Sequence, residues 1–133
     1  NLNLSYINFL YINNKYDEVL KLAKIATERD EKDPQGHYVR ALVYKNLSNP
    51  FLELTELNKC IDKIIDYTPG GYYISDTDGS ILDLSEVFIL RAVLFKSVND
   101  LDSYCIDLNS ALNYTDLKTQ QNRIKQMINE SCE

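Results

Sequence analysis

At 133 residues, with 44% hydrophobic and 26% charged residues, the chain has the size and composition of one soluble globular domain and lies far from the disordered regime. A formal charge of −6 argues against nucleic acid as a partner, since phosphate binding needs clustered Lys and Arg. Four Gly and three Pro leave little material for the tight turns of an all-β fold, and no apolar run approaches the roughly 18 residues that would span a bilayer.

Nothing at the start reads as a signal core, and Asn1 in place of Met fits a processed or excised chain. Dense apolar residues from Leu4 to Ile12 predict a first helix. Tyr16, Val19, Leu20, Leu22, Ala23 and Ala26, spaced by threes and fours, predict a second after a very short turn at Asn13-Asn14-Lys15. The polar stretch from Glu28 to Asp33 and then Pro34 end this pair. A second pair begins near Gln35, with Tyr38, Ala41, Leu42, Val43 and Leu47 apolar, and turns at Ser48-Asn49-Pro50. Its return helix runs to about Asp66. Leu54, Leu57, Ile61, Ile64 and Ile65 form the apolar face there, with Glu53, Glu56, Lys59, Asp62 and Lys63 on the wet face. Pro69-Gly70-Gly71 stops it.

The helical pattern then fails. An Asp78-Gly79 step between short apolar runs marks an inserted loop or short β-hairpin near 70–84. Asp83-Leu84-Ser85-Glu86 reads as a helix start with a side-chain cap and a Glu three residues later, the pattern of a capping box. A third pair spans Ser85 to Val98 and Leu101 to Asn113, broken at Asn99-Asp100. A closing amphipathic helix, Lys118 to Ser131, places Ile124, Met127 and Ile128 on one face.

The strongest internal feature is a near-copy. Arg40-Ala-Leu-Val-Tyr-Lys-Asn-Leu-Ser-Asn49 reappears as Arg91-Ala-Val-Leu-Phe-Lys-Ser-Val-Asn-Asp100, 51 residues on, with the insertion accounting for most of the excess over the usual helical repeat. Tyr16 and Leu20 stand 34 residues before Pro50 and Leu54. No single hairpin can bury its apolar face alone, so the units are expected to stack and the last helix to close the stack.

On these residues the chain resembles a tetratricopeptide repeat (TPR) protein. Asn14-Lys-Tyr-Asp-Glu-Val-Leu20 is similar to the turn and second-helix opening of that family, with Ala26 at its later small position. Asn99 to Leu112 resembles a bacterial variant carrying Cys-X-Asp-Leu-X-X-Ala, here Cys105, Asp107 and Ala111, and a further Cys in the closing helix, here Cys132. The chain departs from the family at Ile7, Val19, Leu54 and Tyr104, where small residues are usual, and no hairpin turn carries the common Gly. The resemblance implies an all-α, right-handed stack of three hairpins (about 3–33, 35–68 and 85–114) plus a capping helix, 118–131, in a single domain, 1–133. The third return helix and the closing helix should then run antiparallel side by side. That makes Cys105 and Cys132 a candidate disulfide, which would favour a periplasmic or secreted setting; two unrelated thiols is the alternative.

No residue set points to catalysis, a metal or a cofactor. His37, the one histidine, has no second His or Cys at ligand spacing and reads as an exposed or half-buried helix residue. Asp76-Thr-Asp78-Gly79 has a slight likeness to a calcium loop, but Ile74 and Ser85 stand where two ligands are needed, so an ordinary turn is the expectation. Cys60, among Leu57, Ile61 and Ile64, reads as a small hydrophobe. The carboxylates look scattered over solvent faces.

In the family, the first helix of each pair lines a concave groove. The resemblance places Asn8, Tyr11, Ile12, Tyr38, Leu42, Lys45, Asn46, Ile89, Val93, Lys96 and Ser97 there, and implies a non-catalytic module that binds a protein or peptide. The alternative is a structural or self-assembling spacer of a larger or secreted protein.

Overall fold

The structure is a computed structural model that describes residues 3–65, 67 and 73–132. Among them are seven α-helices: α1 (Leu4–Ile12), α2 (Tyr16–Arg29), α3 (Gln35–Asn46), α4 (Pro50–Ile64), α5 (Ser85–Ser97), α6 (Leu101–Ala111) and α7 (Lys118–Ser131). A short 3-10 turn, Leu112–Tyr114, follows α6, and two short strands, β1 (Tyr73–Ser75) and β2 (Ile81–Asp83), pair as a two-stranded sheet. The chain is therefore predominantly helical. The expected stop at Pro69-Gly70-Gly71 lies outside the described residues.

Two compact units divide the chain: Asn1–Asp66 with Ile74–Ile81, and Tyr67–Tyr73 with Leu82–Glu133. In the first, α1 packs on α2, α2 on α3, and α3 on α4. Ile7, Leu10, Val19, Ala23, Val39 and Val43 form a buried cluster. The approach of α3 to α2 is close because Gly36 has no side chain. A Cβ there would lie 2.6 Å from Thr27 Cγ2 and 2.9 Å from the Ala23 carbonyl oxygen. In the second unit, α5 packs on α6 and α6 on α7. Cys105 and Cys132 are joined there in a disulfide, their Cα atoms 5.9 Å apart.

Three helix-to-helix turns share one geometry. Asn14, Ser48 and Asn99 all take positive φ, at 60°, 55° and 64°. Just after each, the N–H of Lys15, Asn49 or Asp100 donates back to the carbonyl of Leu10, Tyr44 or Phe95, at 2.8, 2.9 and 2.9 Å. This is a Schellman closure, with an L-residue in the left-handed position that Gly most often fills. Asn49 and Asp100 then cap the following helix, accepting from the N–H of Leu52 and Ser103 at 3.1 Å each. The missing Gly noted in the sequence is thus met by Asn and Ser, of which Asn tolerates the conformation better.

At the insertion, Gly79 N–H donates to the Asp76 carbonyl at 3.1 Å with φ of 90°, the Asp-Gly turn that the sequence predicts. The start of α5 differs from expectation. Asp83 Oδ1 accepts the Ser85 N–H at 3.2 Å, but Glu86 does not reach back. Its carboxylate instead meets Gln120 Nε2 at 3.0 Å and Arg123, because α7 offers it a cation that the cap cannot.

Replacing Ser48 with Gly should remove the left-handed strain and raise stability by about 1 kcal/mol. A denaturant midpoint shifted upward without a change in slope would show it. Thiol titration of the unreduced native protein should find no reactive thiol, since Cys60 is buried. Unfolding should expose one, and reduction should add two and cost roughly 3.5 kcal/mol for a closed loop of 27 residues.

Candidate functional site

Helix α3 follows Pro34 directly, and Asp33 Oδ1 accepts the Gln35 N–H at 3.0 Å to open it. From there Gln35, Tyr38, Leu42 and Asn46, spaced by three and four, form one stripe along the helix. At its start the Gln35 side chain makes two bonds to one residue of the insertion. Its Nε2 donates to the Ser75 carbonyl at 2.8 Å, and its Oε1 accepts the Ser75 N–H at 2.8 Å. At its far end Asn46 Nδ2 donates to the Tyr11 hydroxyl on α1 and to the Leu42 carbonyl, the latter at 3.0 Å.

The insertion closes on this stripe. Ile74 and Thr77 are buried, and Tyr38 and Leu42 are buried with them. Burial, the neighbouring Tyr16 and the charge of Asp76 together raise the Tyr11 hydroxyl above its ordinary pKa, against the hydrogen bond from Asn46. Tyr11 also meets Tyr16 edge to face, ring centres 5.6 Å apart. A cavity of about 280 Å3 remains between α1 and the turn, lined by Leu4, Ser5, Asn8, Ser75, Asp76 and Ile81 among others. Asn8 Oδ1 is a buried acceptor with no hydrogen-bond partner among the described residues.

The remaining groove residues fare differently. Ile12 and Lys45 are exposed. In the second unit Ile89 is buried, whereas Val93, Lys96 and Ser97 are exposed. Lys96 Nζ sits 5.0 Å from the centre of the Tyr104 ring and 3.3 Å from Ser131 Oγ. Ser97 turns back on its own helix, donating to the Leu94 carbonyl at 2.6 Å. The structure thus brings Tyr11 and Asn46 into contact and leaves Ile12, Lys45, Val93, Lys96 and Ser97 exposed, the last two engaged within their own unit.

The near-copy in the sequence carries a matching pair of ionic contacts. Arg40 Nε lies 3.2 Å from Glu56 Oε1, and Arg91 pairs with Asp107 through two bonds of 2.8 Å, each acid sixteen residues after its Arg. Each guanidinium also lies 5.8 Å from the centre of an aromatic ring four residues on, Tyr44 and Phe95. Glu56 and Asp107 are buried, and so is Glu53, contrary to the wet face expected of α4. His37 is buried too, because its Nδ1 donates to Glu56 Oε1 at 2.8 Å. Gln35 was not singled out from sequence, Glu56 was placed on a wet face, and Asp107 was named only as part of the Cys-X-Asp-Leu-X-X-Ala pattern. The equal spacing from Arg40 and Arg91 was the available signal for the acids, while Gln35 left none.

Burial alone would raise the Glu56 carboxyl. The His37 hydrogen bond and the Arg40 charge and hydrogen bond outweigh it and hold the group below its ordinary pKa. For Glu53 burial wins over the attraction of Lys45, and the carboxyl is raised. Burial likewise pushes the Cys60 thiol far up, and its Sγ donates to the Pro34 carbonyl at 3.5 Å, so it packs as a small hydrophobe.

With this geometry in hand, comparison with known proteins adds no family: neither a protein-family model nor a curated protein matches the chain.

A carboxyl whose folded pKa is depressed contributes stability above its unfolded pKa and loses it as pH falls through the folded one. Glu56→Gln should therefore cost about 2 kcal/mol at neutral pH. The gap to the parent should close as pH drops well below the ordinary carboxyl value of 4.5, as read by denaturant melts across pH.

Proposed function

We propose that the chain is a non-catalytic protein-binding module of the tetratricopeptide kind, and that it takes an extended segment of a protein or peptide along the α1 and α3 face. The repeat reading is supported by three turns of one geometry and by the Arg-to-acid pair at equal spacing in two hairpins. It implies a right-handed stack of hairpins 3–33, 35–68 and 85–114, closed by 118–131. The disulfide between Cys105 and Cys132 supports a periplasmic or secreted setting.

One observation carries the binding reading: the Gln35 amide pairs with both backbone groups of Ser75, as a neighbouring strand would. Such contacts read an extended backbone without regard to its side chains. Tyr38 and Leu42 supply apolar area beside them, and Asn8 Oδ1 supplies an acceptor still without a donor. The chain's own segment occupies the face, so a partner would take its place. No nucleic acid and no membrane insertion are expected of such a face.

The reading is tested with a protein whose residues 75–80 are replaced by a Gly-Ser linker, offered a labelled peptide with the sequence of residues 72–82. Saturable binding on the order of 10 μM is expected, lost on Gln35→Ala. If the linker protein keeps its helical spectrum yet shows no saturable binding of this peptide, or binding that Gln35→Ala leaves unchanged, the reading is wrong.

A structural or self-assembling module is the second reading, favoured by the exposed apolar side chains Tyr6, Phe9 and Ile12 of α1.

A further inference from the structure

Helix α7 is poorly built to stand alone. It begins at Lys118 and its last turn carries Glu130, so a cation meets the positive end of the helix dipole and an anion the negative end. No side chain caps its start, its first turn holds no acid and its last turn no base. At 14 residues, its helical form therefore depends on what it is docked to.

That docking is uneven along the helix. The first half is held from several sides. The Leu117 N–H donates to Thr115 Oγ1 at 3.2 Å, Gln120 Nε2 donates to Ser85 Oγ and to Glu86 Oε1 at 3.0 Å each, and Arg123 pairs with Glu86. Ile124, fully buried, ends this half. Beyond it no described residue is buried: Lys125, Gln126, Asn129 and Glu130 are exposed, and Met127, Ile128 and Ser131 are half-buried. Among the described residues one hydrogen bond joins this second half to another helix, from Lys96 Nζ to Ser131 Oγ at 3.3 Å, and it lies in solvent. The disulfide is the remaining tie. It joins Cys132, just past the end of α7, to Cys105 in the middle of α6.

We infer that the Cys105–Cys132 bond is a redox latch, whose reduction releases α7 beyond Ile124 while the helix up to Ile124 stays docked. A dithiol supplies the chemistry. One of its thiolates attacks a sulfur of the bond, and its second thiol resolves the mixed disulfide. Two electrons and two protons thereby pass to Cys105 and Cys132, and the reductant closes its own disulfide. Neither cysteine is buried, which leaves the bond within reach of a small dithiol. The polar contacts of the first half involve neither cysteine, so they outlast reduction. Release uncovers Met127, Ile128 and the side of α6 around Cys105, and it frees Lys96 from Ser131.

Hydrogen exchange of the intact chain, read by mass spectrometry before and after treatment with dithiothreitol, tests this. Reduction should speed exchange of the amides of 127–132 at least about tenfold, bringing them close to the rate of an unstructured chain. Amides of α5 and α6 should remain at least about a hundredfold slower than that rate. The double variant Cys105→Ser with Cys132→Ser should show the same loss in α7 without any reductant, and dithiothreitol should then change nothing further. Amides of 127–132 that stay as protected after reduction as before would overturn the inference. So would protection lost across α5, α6 and α7 together, which would make the bond a staple of the whole unit.

Discussion

Each helical hairpin is closed by a single residue held at positive φ: Asn14, Ser48 and Asn99. The turn has no slack. The next residue but one already begins the following helix, so the crossing of α1 with α2, α3 with α4 and α5 with α6 depends on that one dihedral. Where Lys15, Asn49 and Asp100 close one helix and start the next, the last carbonyls of the first are satisfied by the same backbone that opens the second. A longer or looser connection would free the two helices to slide, and the ion pairs that bridge them would not meet.

Those ion pairs set the register of the second and third hairpins more than they add stability. Burying Glu56 and Asp107 costs desolvation that an Arg partner only repays when the geometry is good. Arg91 and Asp107 meet through two parallel bonds, and Glu56 is held by both Arg40 and His37, so neither acid is left alone. A slip of one residue along either helix would strand a buried carboxylate. Glu53 shows the other side of the balance, since with only the charge of Lys45 to help, burial raises its pKa.

The insertion is tied to the second hairpin through α3. It breaks the helical pattern, yet the end of β1 is held to α3, because one glutamine amide satisfies both backbone groups of Ser75. Tyr38 and Leu42, which would otherwise stand as an apolar stripe, are buried on the same face.

Local order was legible in the amino-acid sequence because it rests on near-neighbour physics. The helices follow from three-and-four spacing, the turns from Asn, Asp, Ser and Pro, the β-hairpin tip from Asp78-Gly79, and the repeat from the match of Arg40 onward with Arg91 onward. The bond between Cys105 and Cys132 was open to either outcome until α6 and α7 came together. What only the tertiary structure decided are contacts between residues far apart in the chain. The hold of Gln35 on Ser75 spans 40 residues, and the burial of Glu53, Glu56 and His37 depends on α3 packing against α4. A polar side chain carries no mark of whether it will meet water or a partner. That choice is made when distant segments pack, since burial is tolerated only where the folded chain returns a hydrogen bond or an opposite charge.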